Sequence, residues 1–470
     1  MNTGGIETLG VETVPAAQRT AAPSSIVAVF VGSNLSLSVM VFGWLTILYG
    51  LGFWQAVSAI LVGTVLGSLL VSASSLLGWR AATNKSVASG AFFGVKGRLV
   101  ASFVGLLLCI QYVALTVWTG GEIISSGWAR ISGLTESDAT LSVGFLIIAA
   151  AVVAFAVFGY SLILRLNSWL TWLMIGLIIA SIIGLWPSFD PAYAGDPSVY
   201  ALGSLTPTWL LAALTAGVAG PISYVTQTGD WARYVSPDRN PKEIVRATFL
   251  AMVLGLTIPT IFGAFVATAA FDEQSFVAGF VAGSPTWLLA ALLAVGFIGS
   301  LGQGSINLYS MGLDMDAILP RLTRVQSTAL VAALSTALVF VGKFAYDAEA
   351  AVTNSVLFLT SLACAWTSIA LYGYWRHRGL FDQADLQVFN RRIGGGRYWF
   401  HAGWNWRALV AWLIGSAAGI AGISSVDFTG VLAAQVGGVD LSIPASLLCA
   451  LAVYAALDRR QPPVSASATS

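Results

Sequence analysis

The chain alternates between long apolar runs and short polar segments, which is the pattern of a membrane protein built from helices. A run of about 20 apolar residues is long enough to cross the hydrocarbon core of a bilayer as a helix. Twelve such runs are present, at residues 26–49, 53–77, 99–125, 141–163, 168–186, 207–229, 247–270, 286–313, 328–344, 352–375, 409–425 and 441–457. The pattern predicts an all-α integral membrane protein with twelve transmembrane helices.

The sixth predicted span contains residues that interrupt a helix near its centre. Gly217 and Gly220 weaken the helix, and Pro221 has no backbone N–H to donate. Carbonyl groups freed by such a break find no water in hydrocarbon, so they are tolerated only where they line a protein cavity. The break is followed by a group of hydrogen-bonding side chains, namely Ser223, Tyr224, Thr226, Gln227 and Thr228. This span is therefore predicted to be a discontinuous helix at a binding site.

The first predicted span is interrupted in the same way, with Gly32, Asn34, Ser36 and Ser38 near its middle. The first and sixth spans hold corresponding places in two halves of five helices, as in transporters built from inverted repeats. Half-helix ends near the middle of a membrane offer N–H groups to an acceptor and carbonyl groups to a cation. Small residues also allow close helix packing. A binding role is favoured because Asn34 and Pro221 are not needed for packing.

The composition agrees with a membrane protein and disfavours several other classes. Hydrophobic residues make up 57% of the chain and charged residues only 9%, whereas soluble domains contain about 25% charged residues. The net charge of +1 gives no basic footprint for a nucleic-acid polymer. The three cysteines lie in apolar runs and both histidines lie in one polar loop. Without a His cluster, paired carboxylates or a Cys/His dyad in the spans, an intramembrane enzyme is the least favoured class.

The basic residues give the predicted spans an orientation. With twelve spans, every Lys and Arg except Arg130 and Lys343 falls on the face that carries both termini. By the positive-inside rule, this face is predicted to lie in the cytoplasm. The membrane that the helices span is predicted to be the plasma membrane. The first residues show no signal-peptide pattern. The predicted division is a tail at 1–25, repeats at 26–186 and 207–375, a cytoplasmic loop at 376–408, two further spans at 409–457 and a tail at 458–470.

Polar and aromatic residues in two more spans extend the predicted site. Tyr112 and Thr116, in the third span, are four residues apart and share one helical face. An aromatic ring beside a hydrogen-bonding group suits a planar heterocycle, which has a π face and a polar edge. The eighth span carries polar side chains that would be costly in lipid and are expected to face the interior, namely Ser300, Gln303, Ser305 and Asn307.

Glu122, near the outer end of the third span, is the one carboxylate predicted to lie at appreciable depth in the membrane. A carboxylate inside a membrane is a functional candidate. The alternative is that Glu122 lies in the hydrated outer interface. Asp230 and Asp314 are predicted at the cytoplasmic ends of their spans.

Five segments resemble the nucleobase:cation symporters of the purine and cytosine permease type. They are GVETVPAAQRT at 10–20, GSNLSLSVMVFG at 32–43, FFGVKGR at 92–98, GDWARY at 229–234 and NLYSMGLD at 307–314. The resemblance extends over about residues 7–458. It implies a leucine-transporter-like fold of five plus five inverted repeats, with helices 1 and 6 discontinuous, and secondary active import by alternating access.

The resemblance also implies roles for particular residues. The aromatic side chain that stacks on the substrate corresponds to Tyr112, where the family usually has tryptophan, and the polar position one turn later corresponds to Thr116. A hydroxyl that contacts the base corresponds to Ser223. The second stacking aromatic corresponds to Pro221, which cannot stack, so either Tyr224 supplies the second face or the substrate is held from one side.

The coupling ion is left open between H⁺ and Na⁺, and no other cofactor is implied. Sodium-driven members have a Ser/Thr pair on the eighth span, facing carbonyl groups of the first, that corresponds here to Gly302 and Gln303. Ser300 or Ser305 is a candidate replacement for a Na⁺ site at this contact. Without such a pair the carbonyl groups make a poorer cage for a hard cation. Glu122 is the candidate carrier for a proton.

The sequence thus predicts a symporter that imports a nucleobase or a related planar heterocycle. The alternative is a transporter of the same fold for another solute, such as allantoin, hydantoin, a vitamin or an amino acid. The amide that reads the edge of the ring is Gln303 or Asn307. The residues predicted to line the substrate site are Ser36, Ser38, Tyr112, Thr116, Ser223, Tyr224, Gln303 and Asn307.

Overall fold

The computed structural model describes residues 10–157, 160–272, 275–319, 322–345 and 348–458. Within these ranges the protein is helical, and its only β-type contacts are isolated bridges. Residues 1–9 and 459–470, which belong to the two predicted tails, lie outside the described residues, as does Arg321.

The first half of the chain contains the first five predicted spans. Its helices are α1 (Ser24–Asn34), α2 (Leu37–Leu48), α3 (Phe53–Ala81), α4 (Lys85–Phe93), α5 (Leu99–Ser132), α6 (Asp138–Val157) and α7 (Tyr160–Leu185). α1 and α2 form one broken span with a bend of 64°. α4 is a short buried helix in the connection between α3 and α5 that the hydrophobic pattern did not predict.

The second half contains the remaining spans and several short connecting helices. They are α8 (Leu205–Ala212), α9 (Ala219–Ser223), α10 (Thr228–Ala232), α11 (Pro241–Ala269), α12 (Phe276–Gly283), α13 (Leu289–Ile318), α14 (Arg324–Ala345), α15 (Ala348–Arg376), α16 (Gln383–Leu386), α17 (Trp406–Ala421), α18 (Val431–Gln435) and α19 (Ser442–Asp458). A π-helical segment, Ala213–Val218, joins α8 to α9.

The described residues contain nine helical segments that are long and apolar enough to cross a membrane, and the bent pair α1–α2 makes a tenth. α17 and α19 are shorter apolar helices at the last two predicted spans. The number twelve remains a prediction.

The boundary between the fourth and fifth spans differs from the predicted one, because α6 ends at Val157 and α7 already begins at Tyr160. The predicted connection at 164–167 lies within α7.

The sixth span is discontinuous, but its interruption comes later than the sequence indicated. Gly217 lies in the π-helical segment, and Gly220 and Pro221 lie within α9. The wider π-helical turn before the proline accommodates its ring and its missing N–H, so the chain remains helical through it. The helix is interrupted at residues 224–227, between α9 and α10. Gly217 instead permits close packing, since a Cβ there would lie 2.6 Å from Gly63 Cα.

The first span breaks close to the predicted position. Gly32 and Asn34 lie in the last turn of α1, and Leu35 and Ser36 form the interruption. Ser36 has an extended backbone, with φ −142° and ψ 155°. Its N–H donates to the carbonyl oxygen of Asn34 at 2.8 Å, instead of continuing the helical pattern.

The two broken spans lie between two groups of long helices. On one side α3 and α11 pack against them, and on the other side α5 and α13 do. α5, α6, α13 and α14 share a separate apolar core that includes Phe145, Val152 and Met311. The broken spans are therefore enclosed by protein, as unsatisfied backbone groups in a membrane require.

The N-terminal segment, the end of α3, the α10–α11 connection and the α15–α17 connection lie together on one face, here called the basic face. Ala21 pairs with Val235 across an isolated bridge. The Arg19 guanidinium donates to the carbonyl oxygen of Trp79 at 2.7 Å, and Gln387 donates to that of Val11 at 2.9 Å. These contacts fasten the N-terminal segment across the end of the helix bundle.

Candidate functional site

A small cavity lies between the two broken spans. Its volume of about 10 Å³ leaves room for about one water molecule. A larger solute would require the cavity to widen, so the structure corresponds to a contracted form. The cavity is lined by Asn34, Val39, Phe42, Tyr112, Thr215, Ala216, Gly220, Ser223, Tyr224, Leu256, Thr260 and Gln303.

Tyr224 connects both broken spans to α13. Its hydroxyl lies 2.6 Å from Asn34 Oδ1 and 3.0 Å from Gln303 Oε1. The amide of Asn34 is fixed, because its Nδ2 donates to the carbonyl oxygen of Phe30 at 2.7 Å. A phenol has one proton to donate. It goes to Asn34 Oδ1, at the shorter distance. Two oxygen atoms without a shared proton would repel each other, so we assign the Gln303 amide with Oε1 and Nε2 exchanged, so that Nε2 donates to the phenol oxygen.

This orientation leaves the amide oxygen of Gln303 as an acceptor in the cavity wall. Among the described residues Gln303 Nε2 otherwise has no partner, which supports the same orientation. Asn307, one turn further along α13, does not line the cavity. Its side chain donates to the carbonyl oxygen of Gln303 and accepts from Gln227, at 2.9 and 3.1 Å. Of the two amides predicted to read a ring edge, the geometry favours Gln303.

Two aromatic side chains from different helices border the cavity. Tyr112, on α5, faces Phe42, on α2, with ring centroids 6.1 Å apart and an interplanar angle of 45°. Phe42 was not predicted as a site residue, although it lies in the first-span motif, because its approach to Tyr112 depends on how α2 packs. The ring of Tyr224 also lines the cavity and packs edge-on against Phe30, at 5.3 Å between centroids.

The predicted hydroxyl groups fall into two sets. Ser36, Ser38 and Thr116 lie together beside the α1–α2 break, with Ser38 Oγ 2.9 Å from Ser36 Oγ and 3.3 Å from Thr116 Oγ1. They are buried next to the cavity but are not among its lining residues. Ser223 lines the cavity, and its hydroxyl donates to the carbonyl oxygen of Gly220 at 2.6 Å.

The two candidate hydroxyls for a Na⁺ site on α13 donate their protons within their own helix. Ser300 and Ser305 each donate to a carbonyl oxygen of α13 itself, at 2.6 and 3.0 Å. Ser300 also approaches the carbonyl oxygen of Thr116, so it faces α5. α13 meets the first-span break at Gly299, where a Cβ would lie 3.1 Å from the carbonyl oxygen of Leu35. A Na⁺ site with Ser300 or Ser305 as a ligand stays a prediction.

Glu122 is a paired charge and not a hydrated one. It is 5% exposed, accepts from Ser275 Oγ at 2.9 Å, and lies 3.5 Å from Lys343 Nζ. These contacts join α5 to α14 and to the start of α12. Glu122 is thus a buried carboxylate with an ammonium group nearby, and its role as a proton carrier stays a prediction.

The architecture defines the class of protein. A helical membrane protein in which two discontinuous spans meet at an enclosed central cavity is a secondary transporter of the inverted-repeat type. The fold is similar to that of Mhp1, a nucleobase-cation-symport-1 family transporter, in a closed conformation with bromovinylhydantoin bound. The TM-score is 0.72, with 98% of each chain covered and 17% sequence identity.

The chain belongs to the family described as permeases for cytosine/purines, uracil, thiamine and allantoin, whose profile matches residues 13–442. It is 22% identical over 458 residues to the putative purine-cytosine permease YxlA of Bacillus subtilis, covering 93% of this chain and 92% of that protein. It is 22% identical over 433 residues to the thiamine transporter THI72 of Saccharomyces cerevisiae, covering 85% and 68%. The predicted family and fold class are confirmed, and the protein is a membrane transporter rather than an enzyme.

Proposed function

We propose that this transporter imports an uncharged planar nitrogen heterocycle of the nucleobase type, with alternating access driven by a cation gradient. The observation that carries the proposal is the cavity between the two helix breaks, which combines facing aromatic rings with an amide available for pairing. An aromatic ring stabilises a planar solute through its π face, and an amide discriminates between ring edges by hydrogen bonding.

The absence of charge in the cavity wall favours a neutral substrate. Of the lining residues that the structure describes, none carries a charge. An amino acid or thiamine would find no charged side chain as a partner in this wall, and only helix ends and aromatic faces would offset the cost of desolvating its charge. Cytosine, adenine, hypoxanthine, uracil, allantoin and hydantoin carry no net charge at neutral pH and satisfy this condition.

The proposed roles follow from position. Tyr112 and Phe42 hold the faces of the ring, and Gln303 accepts from a ring N–H. Ser223 and Tyr224 border the remaining edge. The set of Ser36, Ser38 and Thr116 supports the α1–α2 break from behind.

The proposed coupling ion is H⁺ or Na⁺. The similarity to a cation symporter supports coupling to an ion in general. Ser300 and Ser305 donate their protons to carbonyl oxygens of α13, which leaves their oxygen lone pairs as candidate ligands for Na⁺ beside the first-span carbonyl groups. The assay below distinguishes the two ions.

The proposed location is the plasma membrane, with the basic face and both termini in the cytoplasm. Arg80, Lys96, Arg239 and Lys242 lie on or near the same face as the N-terminal segment, while Arg130 and Lys343 lie at the opposite end of the bundle. Positive charge is retained on the cytoplasmic side of membrane proteins.

Uptake into vesicles tests the proposal. Vesicles containing the protein are expected to accumulate at least one of the six labelled neutral heterocycles when an inward H⁺ or Na⁺ gradient is imposed. An ionophore that dissipates the H⁺ or Na⁺ gradient supporting uptake should abolish accumulation. Labelled thiamine should not accumulate under either gradient. Vesicles without the protein are the control. Uptake of none of the six above this control would overturn the proposed function.

A further inference from the structure

Lys85, at the start of α4, is fully buried although lysine is rarely found so. Its Nζ donates to the carbonyl oxygen of Val225 at 2.5 Å and to Ser74 Oγ at 2.6 Å. Val225 belongs to the interruption of the sixth span at 224–227, where the helix no longer supplies partners for every carbonyl group. The lysine therefore satisfies a backbone group that the break has exposed.

The contact is costly to break from either side. A buried ammonium group without partners carries a large desolvation penalty, and so does a bare carbonyl group inside a membrane protein. In the closed arrangement each group satisfies the other. Separation of α4 from the broken span requires both groups to find water or new partners, which happens only if this end of the bundle opens.

The neighbouring residues fasten the same region to two further helices. Ser86, next to Lys85 on α4, donates to Asp314 Oδ1 on α13 at 2.5 Å. Gly229, on α10, packs against the lysine, since a Cβ there would lie 2.3 Å from Lys85 Cγ. α4 thus connects the broken sixth span with α13 on the basic face.

The interruption at 224–227 contributes residues both to the contact with Lys85 and to the cavity wall. Tyr224 lines the cavity, Val225 accepts from Lys85, and Gln227 donates to Asn307. Tyr224 in the cavity wall and Val225 in the Lys85 contact are consecutive residues. A change in the cavity that moves Tyr224 therefore also moves the acceptor of Lys85. A short segment shared by two contact networks is a suitable two-state element.

We propose that Lys85 is a positioning residue that latches the interrupted sixth span to α4 and so keeps the path from the cavity to the basic face closed. The latch releases when the protein opens toward that face. The proposal rests on the proposed function only in assuming that the protein alternates between closed and open forms. It does not depend on which solute is carried.

A native cysteine reports on this path. Cys109 is fully buried on α5, with its Sγ 3.2 Å from Gln227 Nε2. In a background with Cys364→Ser and Cys449→Ser, Cys109 is the remaining thiol. Its rate of labelling by a membrane-impermeant thiol reagent, in vesicles of both orientations and without substrate or gradient, measures opening of the path from each side.

Lys85→Met is expected to increase the Cys109 labelling rate about tenfold from the side of the basic face, since it removes charged hydrogen bonds that hold the closed form. Lys85→Arg should restore slow labelling at least in part, because it keeps the positive donor. Lys96→Met is the matched control, since Lys96 lies in the same connection but its ammonium group is directed at Trp399. Its labelling rate should not change.

Unchanged labelling in folded Lys85→Met, or equal acceleration from both sides, would overturn the proposal. If Lys85→Met does not fold, Ser74→Ala decides, because it removes one partner of the ammonium group and should accelerate labelling about twofold or more from the basic face only. Failure of this test with intact substrate uptake would reject the latch alone. Failure of uptake with the labelling result as expected would reject only the proposed substrate.

Discussion

Replacing Tyr112 by alanine is expected to weaken binding of the transported heterocycle by about ten- to a hundredfold. Removing an aromatic ring from a stacked base costs roughly 1–3 kcal/mol, and each 1.4 kcal/mol corresponds to about tenfold in affinity. Tyr112→Trp should retain binding, because the larger ring still presents a π face. The measurement is equilibrium binding of the best-transported heterocycle to the purified protein.

Tyr372→Ala is the matched control, because Tyr372 packs against Trp375 and Tyr454 and does not line the cavity. This variant should lose some stability but bind with unchanged affinity. An unchanged affinity in Tyr112→Ala would move the substrate site away from α5.

Replacing Gly263 by valine is expected to remove most of the folded transporter. α2 and α11 cross where Gly43 faces Thr260 and Gly263 faces Met40, and a Cβ at either glycine would lie 1.8 Å from a backbone carbonyl oxygen. Backbone atoms cannot move aside as a flexible side chain can. Overpacking therefore costs at least about 3 kcal/mol here, at the upper end of its usual range, and separates α11 from the span that carries Phe42.

The yield of monodisperse protein in size-exclusion chromatography and its melting temperature measure this effect. Gly176→Val is the control, since a Cβ at Gly176, on α7, would meet no atom within 4 Å. Its yield should match that of the parent protein. A normal yield and melting temperature for Gly263→Val would show that α2 and α11 do not cross this closely.

The sequence was sufficient to predict the class of fold because its main determinants are local. Apolar runs identify spans, and the group of Gly32, Asn34 and Ser36 identifies the first break within two residues of its position. The sixth break was predicted too early because proline is an interruption only if the preceding turn cannot adapt. The π-helical segment before Pro221 makes that adaptation, and the neighbouring sequence contains no pattern that predicts such a segment.

The site was predicted in part. Tyr112, Ser223, Tyr224 and Gln303 come together at the cavity, and each was singled out because it brings a hydrogen-bonding group into a span. Phe42 could not be recognised in the same way, because an aromatic residue in an apolar span is typical of packing. Its position depends on the crossing of α2 and α11, which is a long-range property.

The contacts of the charged and hydroxyl groups also depend on long-range packing. Ser300 was a candidate ligand at the first-span break, and in the fold Gly299 packs against Leu35 while Ser300 approaches the carbonyl oxygen of Thr116 on α5. Lys85 was counted only as a positive charge on one face. Its contact with Val225, a residue far away in the chain, is visible only in the folded protein.

The central claim is that the cavity between the two interrupted spans holds the transported solute. An experimentally determined structure with the best-transported heterocycle bound tests it most directly. The account predicts the ring between Tyr112 and Phe42, with an N–H donated to the amide oxygen of Gln303. A ligand bound instead in the apolar groove formed by α5, α14 and α15, or found nowhere between the two breaks, would contradict it.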